Sequence, residues 1–349
     1  NKKSGSKDEH VESNTSISSN LSGDSITLIA GNNYEQSGSN VMGVHDVAIQ
    51  AGNNATIESS QDTYSENDSS SNKKSGFTGG YSAGVLSIGF GKSKSNAQNS
   101  VESVAQHAST IGSEEGNVSI KAGNQMTIAA SDVAAAKDVT LIAKDIDLEA
   151  RQDTVVMHGE QSAKSSGISL GITVNPYAAG KAAYDQSKAN SAVTGSTMNK
   201  IINEFRASNA ALAAATTPIV FTAGSKRSSS EQNHLTSNAR VDTFTAGGNF
   251  TMIATDGSID SQGAQMSAEG SALFLAKDSI NLDVAHNYES KDTDNKSSGW
   301  GIDNRGGPNL WDIAGVYKNK ANGAGNTDTV TGSQLSVGGK ATLVTQTGD

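Results

Sequence analysis

Six histidines and one pair of close carboxylates are the side chains of this sequence best suited to acid–base or metal chemistry, and neither set has the spacing for it. His10, His45, His107, His158, His234 and His286 stand singly, without the short gaps by which imidazoles converge on a metal. Turn or solvent-facing positions account for them. Asp145 and Asp147 are two residues apart, so a strand would carry both on one face, where paired carboxylates can act as acid and base. No partner is fixed beside them by sequence, and neighbouring positions in an acidic repeat explain them equally well. The absence of cysteine removes disulfides and thiolate metal sites. No phosphate-binding loop, nucleophile elbow or aspartate-rich calcium repeat occurs. The sequence therefore predicts no enzyme, no cofactor and no metal. A β-helical polysaccharide lyase or hydrolase is the competing enzymatic reading, but Arg151, Arg206, Arg227, Arg240 and Arg305 are scattered and the strand segments are poor in aromatics.

What must position any functional residue is a repeat. The phrase Ser25-Ile26-Thr27-Leu28-Ile29-Ala30-Gly31-Asn32-Asn33 returns 21 residues later as Asp46-Val47-Ala48-Ile49-Gln50-Ala51-Gly52-Asn53-Asn54. Asn117-Val118-Ser119-Ile120 is followed at the same interval by Asp138-Val139-Thr140-Leu141, and Asn249-Phe250-Thr251-Met252 is followed some 22 residues on by Leu273-Phe274-Leu275. Each phrase alternates apolar and polar residues and then turns, the pattern of a half-buried strand. Shorter strands, such as Met126-Thr127-Ile128 and Ile146-Asp147-Leu148, fall between them. Two or three short strands per 21 residues make one coil of a parallel β-helix, each coil stacking about 4.8 Å above the last. With 34% apolar and 5% aromatic residues, the core must be thin and continuous. About ten coils are expected, with the asparagines after the strands forming an amide ladder at one corner or holding a ligand.

Between coils the pattern changes. Lys74-Ser75-Gly76-Phe77, Lys164-Ser165-Ser166-Gly167-Ile168 and Lys296-Ser297-Ser298-Gly299-Trp300 share one signature, and Lys3-Ser4-Gly5 reads as a fourth copy. Because that copy lies at the very start, the chain is expected to be a piece of a longer protein. The signatures open excursions spanning residues 65–100, 160–230 and 291–328 of a single domain over 1–349. Residues 76–91 read as a hairpin with its turn near Ala83-Gly84, and Ile168, Leu170, Ile172 and Val174 alternate against small residues. Two readings remain open for these strands: packing back on the coils, or contact with a bilayer like the strands of an outer-membrane barrel. The residues that would make such contact are Phe77, Tyr81, Val85, Leu86, Ile88 and Phe90 in the first excursion. Ile168, Leu170, Ile172 and Val174 serve in the second, Trp300 and Trp311 in the third. Met198, Ile201, Ile202, Phe205 and Leu212 form one helical stripe, which either covers the solenoid or meets a partner. Net charge is −10 and neither sign forms a long block, so no polyanion surface and no nucleic-acid partner are expected.

The Ala-Gly-Asn-Asn coils, the Lys-Ser-Ser-Gly openings and the returns such as Ser93-Lys94-Ser95 resemble the hemagglutinin repeats of filamentous hemagglutinin-like exoproteins. Repeats interrupted by glycine-rich excursions look most like the second, toxin-proximal repeat region of CdiA-type contact-dependent growth inhibition effectors. The resemblance implies an all-β, right-handed parallel β-helix with hairpin and helical excursions. It implies two-partner secretion of the parent through a CdiB-like outer-membrane transporter to the surface of a Gram-negative bacterium. It also implies engagement of the target cell's outer membrane during toxin delivery, with the stalk of a hemagglutinin-type adhesin as the alternative. The Val-Glu-Asn-Asn boundary motif and any toxin domain are missing from this sequence, so killing activity is not expected of it.

Overall fold

Alternating residues commit this chain to short strands, and the repeat commits the strands to stacking. The computed structural model describes residues 1–82, 84–178, 181–182, 185, 219–303 and 314–347. After β1 (Lys2–Asn14), two coils comprise β2 (Asn20–Gly23), β3 (Ile26–Ala30), β4 (Tyr34–Ser37), β5 (Asn40–Gly43), β6 (Val47–Ala51) and β7 (Ala55–Glu58). A long hairpin follows, β8 (Ser60–Ser82) and β9 (Val85–His107). Two more coils hold β10 (Thr110–Ser113), β11 (Val118–Ala122), β12 (Gln125–Ala129), β13 (Asp132–Ala135), β14 (Val139–Ala143) and β15 (Asp145–Glu149). The second excursion leaves on β16 (Arg151–Thr173) and returns on β17 (Ile219–Arg240). Beyond it lie β18 (Thr243–Ala246), β19 (Phe250–Ala254), β20 (Ile259–Gln262), β21 (Gln265–Ala268) and β22 (Ala272–Ala276). β23 (Ile280–Asp303) and β24 (Ala314–Gly332) form the third excursion, and β25 (Gln334–Val337) and β26 (Ala341–Thr345) follow.

The stacked strands make a β-solenoid with parallel faces. Two faces are seven-stranded, β2-β5-β10-β13-β18-β21-β25 and β3-β6-β11-β14-β19-β22-β26; the third runs β4-β7-β12-β15-β20-β23. Among the described residues the strands make seven coils, against the expected ten or so, because the excursions use strands of 19 to 24 residues.

Register turns the repeat into apolar columns. Leu28, Ile49, Ile120, Leu141, Met252, Phe274 and Leu343 stack in order along the second face. Aromatics thicken the column where the coils near the C-terminal end need volume: Phe250 lies 5.4 Å from both Phe244 and Phe274. Polar side chains stack at the corners. Asn53 Nδ2 donates to Asn33 Oδ1 and Asn124 Nδ2 to Asn54 Oδ1, each at 3.0 Å, which is the amide ladder. A second corner runs from Asp46 to Asn117 (2.9 Å) and from Asp138 to Asn249 (3.2 Å). These bonds satisfy backbone turns that would otherwise lose partners at each corner.

The third corner holds one costly group. Ser131 N donates to Asp242 Oδ1 at 2.8 Å, but Asp242 Oδ2 is buried without a partner. Burial, with Asp132 and Glu149 nearby, holds this carboxyl well above the ordinary 3.8 despite the Ser131 bond and the Arg151 charge. A folded-state value above the unfolded one means that protonation favours folding. That contribution is complete below the ordinary carboxylate range and is lost as pH rises through the raised value. Asp242→Asn, neutral at every pH, is therefore expected to melt higher than the parent at about pH 7.5 and level with it at about pH 3.5. A pH series of thermal melts decides; equal melting at the higher pH would show that the carboxylate is not penalised.

Among the described residues the strands of the three excursions pair beside one another rather than fold back on the coils. They pair with one another in the order β1-β8-β9-β16-β17-β23-β24, every neighbour antiparallel. The geometric reason is a match of widths. Outgoing arms leave the third face at every second coil, after β7, after β15 and along β23. Two coils occupy about 9.6 Å, the width of the two strands in one hairpin. Each hairpin thus abuts the next, and the arms continue the third face outward: β23 pairs with β20 at its base and with β17 further out. The sheet is open, since among the described residues β1 and β24 are not paired to each other. Its strands of 23 residues extend about 75 Å.

A latch repeats at the base of each junction. Asp62, Asp153 and Asn287 occupy equivalent places on the outgoing arms. Their side-chain oxygens accept backbone N–H bonds from Ser16 (2.6 Å), Gln106 (2.6 Å) and Ala239 (2.7 Å) of the preceding returning segments. Nothing in the sequence singled out these three residues.

Candidate functional site

The outer end of the hairpin sheet is where exposed apolar side chains converge. A strand sends alternate residues to opposite faces, and antiparallel partners directly opposite share a face. Phe77, Phe90, Ile168 and Ile302 fall in one cross-strand row through these pairings and the intervening Ala223. Two residues outward, Ile88, Leu170 and Phe221 form the next row on that face, and Tyr81, Leu86 and Ile172 the one beyond. The opposite face in this zone is small and polar, with Thr78, Gly89, Ser169 and Thr222 in one row. One face is therefore apolar and exposed among the described residues: Phe77 is 78% exposed and Ile88 69%. Phe77 and Phe90 meet edge to face at 5.5 Å, and a shallow depression of about 340 Å³ lies among Phe77, Ile88, Phe90, Ile168, Leu170 and Phe221.

The hairpin register corrects the sequence reading at three places. Alternation by number puts Val85 with Phe77 and Tyr81, apart from Leu86, Ile88 and Phe90. The two-residue turn instead pairs Tyr81 with Leu86, so those five apolar residues share a face and Val85 lies on the other. Val85 is only 6% exposed, packed over Gly171, where an added Cβ would stand 2.6 Å from Val85 Cγ1. Trp300 is aligned with Phe77 and Ile168 by the shared signature, yet it sits two residues nearer the solenoid, opposite Ser225 and Val316. Lys3-Ser4-Gly5 lies on β1, antiparallel to β8, with Lys3 opposite Lys74; three residues carry no direction, and this copy marks a strand entering a coil. Val174 is exposed beside the turn, its N–H donating to Gly84 O. Trp311 and the stripe from Met198 to Leu212 lie outside the described residues. Residues 176–178, 181, 182 and 185 are helical.

Between this apolar zone and the solenoid runs a row of glycines that one-dimensional reading did not reveal. Gly76, Gly91, Gly167, Gly224, Gly301 and Gly315 stand opposite one another across six strands. At Gly76 φ is +148°, a conformation that side chains rarely adopt, and an added Cβ at Gly224 would meet the Trp300 carbonyl at 2.9 Å.

The residues weighed first as chemistry are accounted for structurally. Each histidine meets one or two ordinary partners: Glu12, Asp24, Ser18, Asn233, Glu289 and Asp328 lie within hydrogen-bond reach of His10, His45, His107, His158, His234 and His286. Asp147 accepts from Gln125 at 2.6 Å, and burial raises its carboxyl above the ordinary range; Asp145 accepts the Ser258 N–H at 2.7 Å. Arg240 pairs with Asp132 at 2.9 Å and Arg151 with Glu149 at 3.2 Å, both at solenoid junctions. Glu9, Glu66 and Asp68 are the one carboxylate group that converges among the described residues. Lys7 bonds Glu9 at 2.6 Å and holds its carboxyl below the usual range, while Tyr64 donates to Glu66.

The chain belongs to the hemagglutinin repeat family, whose model matches residues 1–154, 88–214 and 223–349. It is similar to the tRNA nuclease CdiA-2 of Burkholderia pseudomallei, 28% identical over 286 residues, which is 75% of this chain and 9% of that protein. The 16S rRNA endonuclease CdiA of Enterobacter cloacae is 29% identical over 305 residues, covering 80% of this chain and 9% of the relative. A tRNA nuclease CdiA of Escherichia coli is 28% identical over 301 residues, again 9% of its length. The chain thus spans about a tenth of the length of each of these three relatives. No solved structure matches it.

Proposed function

We propose that this chain is a non-catalytic structural segment of a secreted CdiA-like contact-dependent growth inhibition effector, and that its hairpin sheet engages the target cell's outer membrane during toxin delivery. The observation that carries this reading is the apolar, exposed face built from Phe77, Phe90, Ile168, Ile88 and Leu170 at the far end of a long sheet. Exposed apolar surface of this extent marks a contact with a partner or a bilayer. Its other face is mostly glycine, serine and threonine, with Val85 beside the turn, close to the alternation of lipid-facing strands. In this reading the nuclease activity for which the relatives are named belongs to other parts of the parent. The parent leaves the cell by two-partner secretion through a CdiB-like transporter and acts at the cell surface. The solenoid supplies length and a rigid base, with right-handed winding as the general rule for parallel crossovers suggests. Trp311 is included in the contact set on sequence alone.

A second reading, the stalk of a filamentous adhesin, draws on the stacked coils but gives the exposed face no task. Flotation with outer-membrane vesicles separates the two. The chain is expected to float and to gain protease protection at residues 76–91. A variant with Phe77, Ile88, Phe90, Ile168 and Leu170 replaced by Ser is expected to stay in the dense fraction. Equal flotation of the two proteins would remove the apolar face from the mechanism; no flotation of either would favour the stalk.

A further inference from the structure

We propose that the hairpin sheet carries a basic belt that seats it on the phosphate-bearing headgroups of an anionic lipid bilayer, which deepens the membrane role above and rests on it. Strand register assembles the belt from residues far apart in sequence. Lys73, Lys94, Lys164, Arg227 and Lys318 lie in one cross-strand row, interrupted only by Ser298 and flanked by Ser4 on β1. On the same face, Lys2 and Lys92 stand one pleat outward and Lys296 and Lys320 one pleat inward. Lys3, Lys74 and Lys226 back them on the other face. Twelve of the chain's 26 lysines and arginines thus occupy one band of the sheet, and no carboxylate stands in these rows.

Net charge alone does not show this arrangement. The chain carries −10 overall, and the charges are sorted along the strands. The nearest carboxylate row on the same face, Asp8, Glu160, Glu231 and Asp294, lies four residues below the central basic row. That is about 13 Å, more than a physiological Debye length of about 8 Å. Among the described residues Lys296 is the only belt cation in an ion pair, with Asp294 at 2.6 Å. All the belt cations are exposed, and those other than Lys296 face solvent where external anions can reach them. A groove of about 890 Å³ runs among Lys2, Lys73, Lys92, Lys94 and Lys164, with Ser75 and Ser166 beside them.

The belt's position identifies its partner as a bilayer. It borders the glycine row, beyond which the same face becomes apolar. From Phe77 to the turn the apolar zone is about 20 Å long, deeper than one leaflet of a hydrocarbon core of about 30 Å. Cations at the rim of an apolar insert fall at the depth of lipid phosphates. Trp300 and Tyr317 stand at the belt's own level, opposite Val316 and Gly299, where interfacial aromatics settle. A free polyanion would recognise the cations but make no use of the exposed apolar residues beyond them, such as Phe77 and Ile88.

The test uses the chain as it is, with defined vesicles. Phosphatidylcholine vesicles with about 30 mol% phosphatidylglycerol are expected to bind the parent at least about 100-fold more tightly than pure phosphatidylcholine, with the gain lost in high salt. A variant with Lys73, Lys94, Lys164, Arg227 and Lys318 changed to Ser is expected to lose that preference; Ser4 and Ser298 already occupy this row, and unchanged thermal melting shows that the sheet persists. Replacing the four lysines by Arg is expected to retain it. Equal binding of parent and serine variant to anionic vesicles overturns the belt, as does tighter parental binding to duplex DNA than to vesicles. If the serine variant still floats with outer-membrane vesicles and the parent shows no anionic preference, the belt fails while the membrane role stands. If the parent binds no vesicle of any composition, the membrane role fails with it.

Discussion

Phe250→Ala is expected to destabilise the solenoid by about 4 kcal/mol, among the largest effects of any single substitution in this chain. Phe250 is fully buried, with Phe244 stacked on one side and Phe274 edge-on at the other, both at 5.4 Å. Its neighbours in the column are Val139 below and Ala272 above, so the ring fills the space that a small alanine leaves in the next coil. In many cores part of such a cavity closes by collapse. Here the hydrogen-bond ladders fix neighbouring coils about 4.8 Å apart, and the walls cannot close in. Because each coil is stabilised only by its neighbours, the loss also weakens the coupling of the last coils to the rest. Urea unfolding followed by far-UV dichroism should show the midpoint falling and a less cooperative transition. Ile29→Ala, at a position 75% exposed on the same kind of strand, should be nearly silent. A Phe250→Ala midpoint as close to the parent as that of Ile29→Ala would refute the account of a rigid, non-collapsing core.

Removal of the central hairpin should release the other two. If residues 153–238 are replaced by a two-residue Asn-Gly turn, β9 and β23 become edges across a gap of about 9.6 Å, fixed by the two coils between their bases. They cannot meet, because each arm is anchored to its own coil. The first hairpin then keeps only β1 beside it, and the third stands as an isolated pair, marginal in water. Trypsin cleavage at Lys73, Lys74, Lys92 and Lys94 is expected to quicken by roughly tenfold or more, as the local opening free energy falls by about 1.4 kcal/mol or more. The solenoid's own melting should move little, since the coils retain their three faces. Removal of the third hairpin, residues 284–332, is the control: it leaves β8, β9, β16 and β17 mutually paired and should leave cleavage in the first hairpin unchanged. Similar cleavage rates in both deletions would mean that the hairpins hold themselves rather than one another.

The exposed face and the belt show where one-dimensional reading stops. Phe77, Ile88 and Ile168 could be picked out because alternation is a property of a single strand. Val85 could not be placed, since the face it takes depends on how many residues the turn uses. Trp300 was aligned by its Lys-Ser-Ser-Gly signature, but hydrogen bonding to β17 sets its height and puts Ile302 level with Phe77. The lysines form no long run in the sequence. Their gathering needs the register of seven strands.

By itself the sequence determined the solenoid: the strand period, the 21-residue coil, the apolar columns and the asparagine corner. Those features rest on contacts between residues one coil apart, and a repeated phrase records such contacts directly. The tertiary structure alone decided the joined hairpin sheet, the glycine row, the latches at Asp62, Asp153 and Asn287, the buried Asp242 carboxyl and the sorting of charge into a belt. Each depends on pairing between segments some 50 to 110 residues apart. That pairing follows from a matching of widths, two strands per hairpin against two coils per excursion, which no single stretch of sequence contains.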